Sequence, residues 1–156
     1  MHLYLLRHAE ATAYQADDFS RKLTKKGMAQ AERVGEFLLK HELKPDLILT
    51  SPVLRAKETA EIISKKLGDH SLIVASWIAC GMRPYVALSE LSDYKKFNSV
   101  MIVGHEPDFS SLIATLIGME SSEHINISKA SLTAINLARF APGSGVLRFF
   151  LPDKLL

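Results

Sequence analysis

Short, nearly continuous apolar runs alternate along the chain with stretches in which apolar residues recur every three or four positions. Residues 2–7 (HLYLLR), 46–50 (DLILT) and 99–103 (SVMIV) are runs of the first kind. They predict strands buried on both faces. Between them, Met28, Ala31, Val34 and Leu38 predict a helix over 24–40, with Thr24 as its N-cap. Ser51-Pro52 predicts the start of a second helix, the serine capping it and the proline taking the first helical position. Ala56, Ala60, Ile63 and Leu67 give that helix its apolar face, and Gly68 ends it. Residues 72–75 predict a weak strand and 84–95 a third helix. Phe109, Leu112, Ile113, Leu116 and Ile117 mark the most regular helix. Residues 131–137 and 146–151, separated by Pro142-Gly143-Ser144-Gly145, predict an antiparallel pair. A polar stretch from His8 to Arg21 carries no period. The expected fold is α/β, a three-layer sandwich with a mostly parallel central sheet and helices on both faces, in a single domain over 1–156.

Composition narrows the function classes. The chain has 156 residues, 47% apolar and 23% charged, which is ordinary globular usage. A net charge of +2 argues for neither nucleic acid nor an anionic membrane surface. The single cysteine, Cys80, permits no intramolecular disulfide and no cysteine-rich zinc site. The first apolar run is stopped at once by Arg7 and His8, too early for a signal-peptide core or a membrane span. A cytoplasmic monomer is the default expectation.

The three strong strands each run straight into basic side chains. The first ends in Arg7-His8, the second leads through Ser51-Pro52 to Arg55 on the first turn of a helix, and the third ends in Gly104-His105. Ligands of open α/β sheets bind outside the carboxyl ends of the strands. If these strands are parallel, Arg7, His8, Arg55 and His105 converge there from positions far apart in sequence. Two guanidiniums and two imidazoles in one cleft suit a phosphoryl group, whose oxygens match the planar fork of arginine. No acidic cluster in the adjoining sequence offers Mg²⁺ a site, and flanking arginines would repel zinc from a pair of histidines. Neither metal nor cofactor is therefore expected.

LLRHAE at 5–10, LTKKG at 23–27, SPVLRA at 51–56 and VGHEP at 103–107 resemble the histidine phosphatase superfamily, the phosphoglycerate mutase-like family. The short length and SRKLT at 20–24 look most like its SixA-type phosphohistidine phosphatases. The resemblance implies a phosphoglycerate mutase-like fold and a nucleophilic histidine, His8, that takes the phosphoryl group in line and yields it to water. Arg7, Arg55 and His105 would hold the phosphoryl oxygens, and Arg21 would reach the pocket rim. The implied partner is a phosphorylated protein carrying phosphohistidine, with a small phosphorylated molecule as the alternative.

Two positions depart from the family pattern. Ala9 follows Arg-His, where many members have glycine. More consequential, residues 71–89 contain no Asp or Glu, although members that cleave phosphate esters usually place a glutamate after the third strand. An alkoxide needs a proton as it leaves. Imidazole, with a reference pKa near 6.5, leaves phosphorus more readily. The missing acid therefore favours P–N over P–O cleavage. Two competing functions remain open: a phosphatase for small phosphoesters using Glu10 or Glu90 as its acid, and a non-catalytic phosphate-binding module. Of the other polar candidates, His2, His41, His70 and His124 are expected to be structural or on the surface, Cys80 a small loop hydrophobe, and Glu10 solvated.

Overall fold

The computed structural model describes residues 1–13 and 17–156, so that three positions of the polar stretch, 14–16, lie outside the described residues. Six strands form one sheet: β1 (His2–Arg7), β2 (Leu47–Thr50), β3 (Leu72–Val74), β4 (Ser99–Gly104), β5 (Leu132–Leu137) and β6 (Gly145–Leu151). Their order is β3-β2-β4-β1-β5-β6. β1, β2, β3 and β4 are parallel, while β5 and β6 add an antiparallel edge. The register sets Arg7 of β1 opposite Gly104 of β4, and Thr50 of β2 opposite Val103. The three strands that end in basic residues therefore finish level with one another.

Alternate side chains of each central strand enter different cores, as the pleat requires. Tyr4, Leu6, Ile48, Met101 and Val103 face α1 (Lys25–Lys40) and α2 (Leu54–Lys66), where Ala31, Val34, Leu38, Ala56, Ala60 and Ile63 cover them. Leu3, Leu5, Leu47, Leu49, Val100 and Ile102 face α3 (Pro84–Ser92) and α4 (Asp108–Ile117) through Leu88, Leu91, Phe109, Leu112 and Leu116. Burial on both faces accounts for the unbroken apolar runs. The predicted three layers and mixed sheet are those observed.

Local chemistry sets several element ends, and some differ from expectation. Thr24 caps α1 as predicted, accepting from Gly27 N–H at 3.0 Å. Met28, placed by periodicity on the buried face, is exposed. Gly27 takes the inward position instead, because α1 packs backbone to backbone there: a Cβ on it would lie 1.9 Å from the Glu10 carbonyl oxygen. α2 begins at Leu54 without a side-chain cap, so Ser51 does not cap it and Pro52 precedes it. α3 stops at Ser92, three residues short of the prediction, in a turn that closes Tyr94 N–H onto the Leu91 carbonyl. Gly68 ends α2 with φ of +92°, a conformation that costs glycine little.

Candidate active site

The level strand ends bring the four predicted residues together. His8 and His105 lie with ring centroids 5.3 Å apart. Arg55, on the first turn of α2, reaches across with Nε 3.2 Å from His8 Nε2. Arg7 leaves β1 beside them, its Nη1 donating to the Ile127 carbonyl at 2.5 Å. His8, Arg55 and His105 are buried and Arg7 is partly so.

The position of His8 is fixed from three sides. Its backbone N–H continues the ladder with β4, donating to the Gly104 carbonyl at 2.9 Å. The next residue, Ala9, donates its N–H to Thr59 Oγ1 at 3.1 Å, and that hydroxyl donates to the Arg55 carbonyl. α2 thereby ties the segment after β1 to the helical turn that carries Arg55. The His8 Nδ1 lies 2.8 Å from the Ala9 carbonyl oxygen. A carbonyl only accepts, so Nδ1 bears the hydrogen and Nε2 keeps its lone pair.

His105 is held differently. Gly104 precedes it because a Cβ there would lie 2.8 Å from the Phe109 ring and 2.9 Å from Ile78, so a larger residue would push α4 away from the strand end. The His105 Nε2 lies 2.8 Å from Ser51 Oγ, which accepts from Val53 N–H. The Ser51 hydroxyl also has a proton to give, and when it gives that proton to Nε2 the His105 hydrogen sits on Nδ1. That Nδ1 and the Nε of Arg7 are buried and have no partner among the described residues. Two buried N–H groups without acceptors are costly, and an oxyanion would satisfy both.

Burial, reinforced by the neighbouring His105 and arginines, pulls the pKa of His8 down from 6.5 to about 3. Burial and then Arg55 pull His105 down to about 4. A lowered histidine pKa means that the folded chain refuses protons that the unfolded chain accepts. These two rings therefore weaken folding as pH falls from about 6.5 toward 4, each by up to about 1.4 kcal/mol per pH unit. Between pH 5 and 8 both rings are expected to stay neutral in the folded protein. Long-range ¹H–¹⁵N spectra check this: imidazolium signals from either ring at pH 5.5 would contradict it.

Arg21 does not reach the four residues directly. Its Nε donates to the Thr12 carbonyl and its Nη1 to Asp18 Oδ1, at 2.7 and 2.8 Å. Asp18 is what touches the site: its carbonyl and its Oδ2 lie 2.9 and 3.1 Å from Arg55 Nη1. The polar stretch hid this residue, and its one sequence signal is the three-residue spacing to Arg21. Cys80, expected to be a loop hydrophobe, is exposed, with Sγ 3.6 Å from Arg55 Nη2. The loop around it is pinned by Asp108, which accepts from Gly81 N–H at 2.8 Å. Glu10 is tied to Lys26 and Thr24, at 2.9 and 3.1 Å, and no hydrogen bond or ion pair joins Glu90 to the site among the described residues. His2 bonds Asn136 and His70 the Pro45 carbonyl, both structural contacts. Among the described residues no three His, Cys, Asp or Glu are grouped to hold a metal ion, and no helix is long and apolar enough to cross a membrane.

Comparison with known proteins identifies the family. Residues 3–79 match the model of the histidine phosphatase superfamily, branch 1. A phosphohistidine phosphatase SixA homolog of Haemophilus influenzae is 32% identical over 129 residues, 76% of this chain and 78% of that protein. An uncharacterized protein of a Picosynechococcus strain is 32% identical over 139 residues, 86% of this chain and 84% of the other. The structure of the protein histidine phosphatase SixA complexed with tungstate superposes with a TM-score of 0.89 at 22% identity, covering 99% of this chain and 98% of that one. Fold and sequence agree, and the chain belongs to the histidine phosphatase superfamily, a family of phosphatases.

Proposed function

We propose that this phosphatase removes the phosphoryl group from phosphohistidine on a phosphotransfer protein, with His8 as nucleophile. The lone pair of His8 Nε2 attacks phosphorus in line and the substrate imidazole leaves, giving phospho-His8, which water hydrolyses. Arg7, Arg55 and His105 Nδ1 bind the equatorial oxygens and offset the charge that gathers on them in the transition state. The structure of the similar SixA was obtained with tungstate, an oxyanion, which suits a phosphoryl-binding clamp here.

The observation that carries the choice of substrate is the loop after β3. It brings a thiol, Cys80, to Arg55, where an ester-cleaving enzyme needs a carboxylic acid. Asp108, which packs on that loop, is committed to the Gly81 N–H. Size favours a protein over a small molecule. Phe19, next to Asp18, is 58% exposed, and Tyr85, just beyond the Cys80 loop, is 72% exposed. Large apolar side chains left in water beside a site suit a protein partner.

Phe19→Ser is the test of the protein substrate. It is expected to raise KM for a phosphorylated phosphotransfer domain about tenfold, a loss of about 1.4 kcal/mol, consistent with one large interface side chain. Turnover of p-nitrophenyl phosphate is expected to stay unchanged. Equal effects on both substrates, or none on either, would remove the support for protein recognition.

A further inference from the structure

We infer that Asp18 is the general base for the second half of the reaction, taking a proton from the water that hydrolyses phospho-His8. The inference rests on the nucleophilic role of His8 proposed above. Its starting point is a feature that role leaves unused: an ionised carboxylate built into the phosphate clamp.

Arg55 carries His8 at one nitrogen and Asp18 at another, through Nε at 3.2 Å and Nη1 at 3.1 Å. The carboxylate therefore sits one guanidinium away from the nucleophile. Its other oxygen accepts from Arg21 Nη1 at 2.8 Å, so two arginines fix its plane. Each oxygen keeps a further lone pair for a water molecule. The side chain is 39% exposed, which leaves it open to solvent while Arg55 is buried. The other carboxylates near the site are held away from solvent or by other partners: Glu10 by Lys26 and Thr24, Asp108 by Gly81 N–H, and Glu106 by the Ser110 hydroxyl at one oxygen while its other oxygen is buried.

The step balances without another reactant. In phospho-His8 the hydrogen stays on Nδ1, donated to the Ala9 carbonyl. Water oxygen bonds to phosphorus as the P–Nε2 bond breaks. The electron pair returns to Nε2, and His8 leaves as neutral imidazole, needing no proton. The one proton to be moved belongs to the water, and it passes to Asp18. The carboxylate returns it to solvent as phosphate departs.

The same charges explain a one-sided site. Arg21 first, and Arg55 after it, hold the Asp18 carboxyl below its ordinary value. An ionised carboxylate accepts a proton from water but has none to give to an alkoxide. Asp18 thus serves hydrolysis of the phosphoenzyme without restoring the ester chemistry that the Cys80 loop lacks. Arg21, expected from sequence at the pocket rim, becomes the residue that positions and ionises this base.

Phosphoramidate, a small P–N phosphoryl donor, allows the two half-reactions to be timed separately by quenched flow. In Asp18→Asn, phospho-His8 is expected to form within about threefold of the wild-type rate and to decay on the order of 10²-fold more slowly, as loss of a general base does. In Arg21→Gln, the acid limb of the decay step is expected to move to higher pH, because Asp18 then protonates more easily. Wild-type decay in Asp18→Asn overturns the inference and leaves the His8 assignment intact. Equal slowing of formation and decay also overturns it, since Asp18 would then act only by placing Arg55. If the wild-type protein forms no phospho-His8, the His8 assignment fails and this inference falls with it.

Discussion

His8→Ala is expected to abolish turnover while the chain still folds and still binds tungstate. The other imidazole of the site is no substitute: the Nε2 of His105 is engaged with Ser51. Tungstate affinity is expected to survive because Arg7, Arg55 and His105 remain. Arg55→Ala is expected to keep the nucleophile but lose about 10²–10³-fold in kcat, the usual effect of removing one donor to a transition-state oxyanion. The two variants separate nucleophile from clamp: His8→Ala loses covalent chemistry with binding intact, and Arg55→Ala loses part of both. Steady-state kinetics and tungstate titrations check them together. His8→Ala retaining more than a few per cent of activity would contradict covalent catalysis by that ring.

The second large effect concerns the leaving group. Without an acid beside the leaving atom, an alkyl phosphate must expel an alkoxide nearly unaided, and one well-placed proton transfer contributes about 10²–10⁴ in rate. Phosphohistidine is therefore expected to be cleaved faster than an alkyl phosphate by at least that order, with aryl phosphates between. The loop itself offers no easy remedy. Cys80 faces Arg55 and is exposed, so a carboxylate there is held ionised by that guanidinium, as Asp18 is, and Cys80→Glu is expected to leave alkyl phosphate turnover within about threefold of wild type. Met82, two residues on, is only 6% exposed and packs in the core under α3. Met82→Glu buries a carboxylate without a partner and is expected to unfold the chain. Equal rates on alkyl phosphate and phosphohistidine, with a bell-shaped pH profile, would mean that an acid is present, with Glu10 and Glu90 the first side chains to test.

What the sequence made legible follows from what is local. Strands buried on both faces write themselves as unbroken apolar runs, and residues that follow the carboxyl ends of parallel strands share one edge, so Arg7, His8, Arg55 and His105 were visible in the sequence. The misreadings arose where tertiary contact chose between local options. Ser-Pro ahead of a helix reads as a cap, but the Ser51 hydroxyl serves His105, 54 residues away. Met28 fits a 3.6-residue period, but the close approach of the Glu10 backbone gives the inward place to Gly27. Asp18 lay in a stretch without period, and only the folded chain shows its carboxylate on Arg55. Arg21 was expected at the pocket rim from the resemblance alone, whereas the structure sets it on Asp18, which in turn touches Arg55. Cys80 looked inert because nothing in sequence links it to Arg55.

The central claim is that His8 carries the phosphoryl group between substrate and water. It is tested most directly by quenching the reaction with a phosphohistidine-bearing phosphotransfer protein during its first turnover and locating the phosphoryl group on this chain. The account predicts a label on the peptide containing His8, stable to alkali, labile to acid, and absent from His8→Ala. Full turnover of the substrate with no phosphoryl group on His8 at any time in that first turnover, or a label stable to acid, would contradict it.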